Sequence, residues 1–441
     1  MPSNYNFTQD GRIYSFDDVF VNRDTFDTST PTGLPGNFKT PSQDLLDYFL
    51  AESEIIDSVV GDKLWSWGSN SHGQLGLNSS VSGNSATPVL EFTNSTTWKQ
   101  TFIGNAWSVS LKTDGKIYGL GFNGGGQLGD GTRIARSTPT SLFTTSTWKK
   151  LPGPNHPSEH VCAIRDDGTM WCWGLNDYNQ LGDFDWRNKS SPVSVFGGGT
   201  NWASVACGRY NTAAIKTDGT LWVWGTNGYG ALGINNANVG YPPYNQSTPV
   251  QVHGGGTNWK QVSIGYYYSA AIKTDGTLWT WGNNKNRGLG LGLTDTTNRL
   301  TPVQVGSGTN WKQVSCGTYD SYYQHNSTLA IKTDGTLWAW GNNDYGQLGI
   351  SNLFTKSTPV QVGSGTNWKE VDQGRYNSGG IKTDGTAWMW GYNGTGSMGR
   401  VLGYAETSHS PKQIHNISTH WKQISVGYGN CSAISSGLNL N

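Results

Sequence analysis

"TLWAWGNNDYGQLG" fills residues 336–349, and near copies stand at 64–76 ("LWSWGSNSHGQLG") and 221–233 ("LWVWGTNGYGALG"). The glycine that closes each Trp-x-Trp-Gly phrase, or its counterpart, falls at Gly68, Gly121, Gly174, Gly225, Gly282, Gly341 and Gly391. Seven copies at a period of about 50 residues is the signature of propeller blades. Around each phrase the period divides into four short strands. In one copy these are "NWKQVSCG" (310–317), "TLAIKTDG" (328–335), "TLWAWG" (336–341) and "TPVQV" (358–362). Their β-branched and aromatic residues with period-two patterning read as strands. The Thr-Asp-Gly turn, with Gly335 at positive φ, suits a hairpin of two or three loop residues. Pro in the last strand fits a sheet edge, where a missing N–H costs no ladder bond. Trp338 and Trp340 lie two apart, so they share one face and are expected to fill the gap between blades.

The ends of the repeat predict closure. "WKQISVGYGNCSAI" (421–434) is half a blade, and "KLWSWG" (63–68) onward supplies the other half. Pairing them removes the free sheet edge. The expected fold is all-β: a seven-bladed β-propeller of four-stranded blades over 61–441, closed by its N- and C-terminal strands, with a small arm over 1–60.

Formal charge is zero, from 30 basic and 30 acidic residues among 441. No cationic footprint is present, which argues against a nucleic-acid partner. Hydrophobic residues are only 34%, whereas Trp numbers 21, Tyr 20 and Gly 61. The core must therefore rest on large aromatics held between tight turns. No apolar run approaches the length of a membrane span, and "MPSNYNFTQDGRIYSF" lacks the basic start and apolar run of a signal peptide. The expected location is a virion or the cytoplasm.

The stretches "AIKTDGTLWTWGNN" (271–284), "LAIKTDGTLWAWGNNDYGQLG" (329–349) and "STPVQV" (357–362) resemble the regulator of chromosome condensation repeat family, in copies of the kind found in bacteria and their viruses. The resemblance spans 61–436 and implies the same seven-bladed propeller. It implies less about function. Propellers of this family act as nucleotide exchange factors for a small GTPase, as ubiquitin-ligase modules and as binding platforms. The basic chromatin-binding tail expected of the nuclear founder has no counterpart here.

No catalytic constellation stands out. "GLGFNG" (119–124) matches a dinucleotide fingerprint but is a copy of the Trp-Gly phrase with no helix after it. The recurring Asp at 114, 167, 218, 275, 334 and 384 belongs to hairpin turns, not to acid–base pairs. None of the eight His shows metal-ligand spacing, so neither a metal nor a cofactor is expected. The five Cys read as small buried residues of a reducing compartment. Cys162 and Cys172 flank one hairpin and could be bonded if its turn has three residues.

Function is sought where copies differ. The loops between first and second strands should share one face. They bring Trp107, Tyr210, Tyr266, Tyr267, Tyr268, Tyr319, Tyr322, Tyr323, Tyr376 and Tyr428 to one rim, with Arg209, Asp320, His325 and Arg375 among them. Tyr with Arg is the composition of a protein-binding hot spot or a sugar platform. A tyrosine beside the loop glycine can instead pack on the neighbouring blade. Exposure is favoured for the enlarged "YYY" and "YDSYYQHN" loops. Insertions at 183–189, 234–246 and 400–409 are expected to form a second surface elsewhere on the ring.

Residues 40–57 read as a capped helix with Leu45, Leu46, Phe49 and Leu50 on one apolar face, and 12–21 as a strand or hairpin. Sixty residues do not easily build a core alone, so the arm should anchor the chain to the propeller or to a partner. The reading that results is a non-enzymatic propeller within an assembly such as a phage head or tail, contacting capsid or tail proteins through residues 1–60. Its tyrosine face would meet a partner or a host-surface glycan. The alternatives are a GTPase exchange factor and an accessory carbohydrate-binding module.

Overall fold

The computed structural model describes residues 6–9, 12–15, 61–78, 83–142, 147–153, 158–236, 245–292, 296–317, 326–400, 406–414 and 420–436. The chain divides into two compact units, Met1–Val60 and Gly61–Asn441. In the first, Asn6–Gln9 pairs antiparallel with Arg12–Ser15; of the strand or hairpin expected over 12–21, the strand at 12–15 is present and the rest lies outside the described residues. The helix expected over 40–57, with Leu45, Leu46, Phe49 and Leu50, lies outside the described residues.

The second unit is the seven-bladed propeller. Each blade is an antiparallel sheet of four strands in sequence order. Blades 1 to 6 begin at Trp98, Trp148, Trp202, Trp259, Trp311 and Trp368. Blade 7 combines Trp421–Val426 and Asn430–Ser435 with Lys63–Gly68 and Ser85–Leu90, so closure is as the sequence predicts. Each fourth strand, which carries the proline of the repeat, lies at a sheet edge.

The repeated phrase holds one blade to the next. Trp340 is wholly buried, and its Nε1 donates to the Gly288 carbonyl of the preceding blade at 2.9 Å. Trp173, Trp224, Trp281 and Trp390 make the same bond to the residue before the Leu-Gly pair of the preceding blade. Gly349 ends one such segment with φ +71°, and a Cβ there would lie 2.8 Å from the Trp390 Nε1. Only glycine fits under the next tryptophan.

The other tryptophan of each pair departs from expectation. Trp338 is only half-buried. Its Nε1 donates to Thr336 Oγ1 at 2.8 Å, Thr336 Oγ1 donates to Asp334 Oδ1 at 2.7 Å, and Lys332 Nζ sits 3.9 Å from the ring centroid. The hairpin turn has three loop residues, with Lys332 and Thr336 facing each other and Gly335 at φ +78°. The gap is filled by the second Trp of the pair together with Trp311, whose ring meets both pair members edge-on near 6 Å.

First strands are innermost, and in four of the seven blades a glutamine stitches the first strand to that of the next blade. Gln313 Nε2 donates to the Val371 carbonyl and its Oε1 accepts from the Val371 N–H, both at 3.1 Å. Gln100, Gln261 and Gln423 do the same. In blade 6 the position holds Glu370, which accepts from the Ile424 N–H at 3.2 Å.

Cys162 and Cys172 are opposite each other in register and bonded, whereas Cys207, Cys316 and Cys431 are buried free thiols. The disulfide corrects the reading of all five as simple buried residues.

Candidate binding face

Antiparallel order sends both the first-to-second and the third-to-fourth connections out of the same face of the ring. The insertion at 183–189, expected elsewhere on the ring, leaves from that face, whereas those at 234–246 and 400–409 lie partly outside the described residues. A connection of one blade meets the next blade's loop. Tyr178 lies on Tyr210 with ring centroids 4.2 Å apart, Tyr229 on Tyr267 at 5.1 Å, and Tyr345 on Tyr376 at 4.3 Å. These contacts are between blades, as the packing alternative required.

Burial sorts the candidates. Trp107 and Tyr268 have no exposed surface, Tyr266 has 2% and Tyr267 7%. The exposure expected for the "YYY" loop is corrected, and Trp107, named as a partner contact on the rim, is buried as well. Trp107 and Tyr268 each open a second strand, a position that other blades fill with His160, Asn211, Ser327, Asn377 and Asn430, all buried. Tyr268 gives its hydroxyl proton to the Ser327 carbonyl, and burial raises its pKa. Burial likewise holds the Tyr266 hydroxyl above its usual range. Tyr319, Asp320, Tyr322, Tyr323 and His325 lie outside the described residues.

Two clusters of Tyr with Arg remain. In blades 2 to 4, the Arg209 guanidinium lies 5.3 Å from the Tyr210 ring and 5.4 Å from Tyr266. In blades 5 to 7, Arg375 sits between Tyr376 at 4.7 Å and Tyr428 at 4.1 Å, and Tyr392 joins Tyr345 and Tyr376. Tyr210 and Tyr376 are half-buried, and Tyr428 is 45% exposed. An arginine held over a tyrosine face is prepaid in side-chain entropy, which suits a binding anchor.

The second cluster borders a cavity of about 530 Å³, reached by Tyr376, Tyr392, Tyr428, Phe122, Asn105 and Glu159. Burial raises the pKa of Glu159, partly offset by hydrogen bonds from Asn105 and Gln127 and by the charge of Arg209. Aromatic walls with amides and one carboxyl can take up a polar side chain or a sugar ring. Sequence reasoning missed Tyr178, Tyr345 and Tyr392, because they lie in or beside the repeated phrase and were read as scaffold. Their signal is that these positions vary among copies: that of Tyr178 and Tyr345 between Tyr, His, Gly, Asn and Thr, and that of Tyr392 between Tyr, Ser, Phe, Leu, Thr and Asn.

Comparison with known proteins settles the family. A model of the RCC1-like domain matches residues 156–440, and one of the regulator of chromosome condensation (RCC1) repeat matches residues 62–111. The chain belongs to the RCC1-like domain family. Within that family it is similar to the ultraviolet-B receptor UVR8 of Arabidopsis thaliana, 28% identical over 70% of this chain and 67% of the relative. The mitochondrial RCC1 domain-containing protein RUG3 of the same plant is 29% identical over 69% of this chain and 67% of the relative. Human E3 ubiquitin-protein ligase HERC2 is 27% identical over 70% of this chain but only 6% of its own length. Among solved RCC1-type structures, yeast RCC1 (Prp20), bound there to Kap60, has a TM-score of 0.73 at 18% identity, covering 87% of this chain and 90% of that one. Human WBSCR16 has a TM-score of 0.70 at 18% identity over 86% and 100%. Both likenesses concern the fold. Among the described residues no helix is long and apolar enough to cross a membrane.

Proposed function

We propose that this RCC1-like propeller is a non-enzymatic docking module. Its loop face, with the Arg209 and Arg375 clusters flanking the cavity, takes a protein partner, and residues 1–60 anchor it in a larger assembly. The observation that carries the reading is Arg375 held between Tyr376 and the exposed Tyr428 at the cavity rim. Protein association is also named for relatives: one yeast RCC1 structure is a complex with Kap60, and another study concerns binding of Prp20p to Gsp1p and histones. The virion, phage and host-attachment settings expected from the sequence draw no support from these relatives.

The test is capture of partners from the native source on immobilised full-length chain, with affinity then measured for Arg375→Ala and Tyr428→Ala. Each should weaken binding by roughly 10-fold or more, the cost of losing a hot-spot residue. Unchanged affinity in both, with unchanged circular dichroism, would overturn this assignment of the face. A captured small GTPase whose nucleotide release the chain accelerates would favour the exchange-factor alternative. Binding of glycans alone would favour the carbohydrate module.

A further inference from the structure

Between blades 2 and 3 lies a group of side chains unlike any at the same positions elsewhere. His160 and Cys162 sit two apart on the second strand of blade 2, His160–Arg165, and so share a face. Cys172 lies opposite Cys162 on the third strand. Cys207 ends the first strand of blade 3, Trp202–Cys207. A ring nitrogen of His160 and the sulfurs of Cys162 and Cys207 all lie within 4.8 Å of one another, and the Cys172 sulfur is bonded to that of Cys162. All four side chains have no exposed surface. Where blade 2 has Cys162, other blades carry Val109, Ala213, Ala270 and Leu329; where it has Cys172, they carry Gly119, Val223, Thr280 and Ala339. The repeat therefore does not require sulfur there.

The His160 ring is also held on both sides. Its Nδ1 lies 2.9 Å from Ser158 Oγ, and its Nε2 lies 2.7 Å from Thr212 Oγ1. Ser158 Oγ in turn reaches the His160 carbonyl at 2.8 Å and Thr212 Oγ1 the Gln180 carbonyl at 2.7 Å. An imidazole that binds a cation through one nitrogen donates its other N–H to such a hydroxyl, the usual outer-shell arrangement for a metal-bound histidine.

We propose that His160, Cys162, Cys172 and Cys207 form a structural zinc site joining blades 2 and 3, filled when the Cys162–Cys172 bond is reduced. Three thiolates and one imidazole are a standard donor set for tetrahedral Zn²⁺. With bonds of about 2.0–2.3 Å, ligand atoms end up roughly 3.5 Å apart, close to the separations of at most 4.8 Å among the His160, Cys162 and Cys207 atoms; Cys172, tied to Cys162 by the disulfide, has to turn its freed thiol toward them. The opening step needs a two-electron reductant: a dithiol gives two electrons and two protons to the disulfide and becomes a disulfide itself, and a phosphine with water does the same and becomes the phosphine oxide. Zn²⁺ then displaces the protons of three thiols to solvent. The spacing of these residues along the chain hides the site, because its ligands come from three strands of two blades. The inference does not depend on the proposed docking role.

The test is zinc content of the full-length protein purified with and without a phosphine reductant, with thiols counted by alkylation after denaturation. One zinc per chain is expected in the reduced protein and none in the disulfide form. Cys207→Ser should abolish it, Ser158→Ala should weaken it about 10–100-fold, and Cys316→Ser, a buried thiol at the equivalent position of blade 5, should leave it intact. Because Cys207→Ser could fail to fold, Co²⁺ is also added to the reduced wild-type chain. Thiolate-to-cobalt charge-transfer bands with tetrahedral d–d absorption are expected. All five cysteines alkylatable with neither zinc nor cobalt bound would overturn the proposal, as would zinc retained by folded Cys207→Ser.

Discussion

Single residues in this ring do unequal work within nearly identical phrases. Trp340 is buried and bonded to the preceding blade, whereas Trp338 lies half-buried under Lys332. In urea denaturation, Trp340→Phe should therefore cost about 2 kcal/mol or more, from lost area and an unsatisfied carbonyl. Trp338→Phe should cost less than about 1 kcal/mol. Glu370 is the odd member of the glutamine stitching. Burial pushes its pKa up to about 8 from 4.5, with the nearby Asp372 adding to the rise. An acid whose folded pKa is raised stabilises the fold in its protonated form, so its contribution is fully present below pH 4.5 and is lost as pH rises through about 8. Glu370→Gln supplies the missing donor to blade 7. It should gain about 1 kcal/mol at pH 8 and nothing at pH 4.5. Melting curves of both proteins across that range check this. The sequence carried the signal, since four other copies have Gln at this position. Its meaning was not legible there, because the partner backbone belongs to a strand about 55 residues away along the repeat.

At the level of strands and blades, much was readable. The period, the four-strand parse, the hairpin turn and the shared closing blade all follow from local patterning, which the fold obeys. What could not be read was the side of the sheet on which each loop residue ends. Tyr267 and Tyr268 are neighbours in "YYY", yet one meets Tyr229 of the preceding blade and the other reaches forward to Ser327 of the next. Burial there is decided by the adjoining blade's loop, which lies far away in sequence. Closure makes its own prediction. A chain ending at His420 lacks Trp421–Val426 and Asn430–Ser435, leaving Lys63–Gly68 with a bare edge. It should lose cooperative unfolding and aggregate, as scanning calorimetry and light scattering would show.

For the molecule as a whole, the balance of 30 positive and 30 negative residues limits how partners are found. Long-range steering needs a net field, and this chain has none. Partner association on the tyrosine face should change less than about threefold in rate between 50 and 200 mM salt, where steered pairs change far more. Stopped-flow mixing measures it.

The shared blade also imposes an order of events during synthesis. Lys63–Gly68 is the first strand of the ring to leave the ribosome, and its partner strand, Asn430–Ser435, is the last. At about 5–20 residues per second the wait is roughly 20–70 s. Through that interval the nascent ring is an open arc with one sticky strand at its leading end, and the last strands of the ring are the clasp.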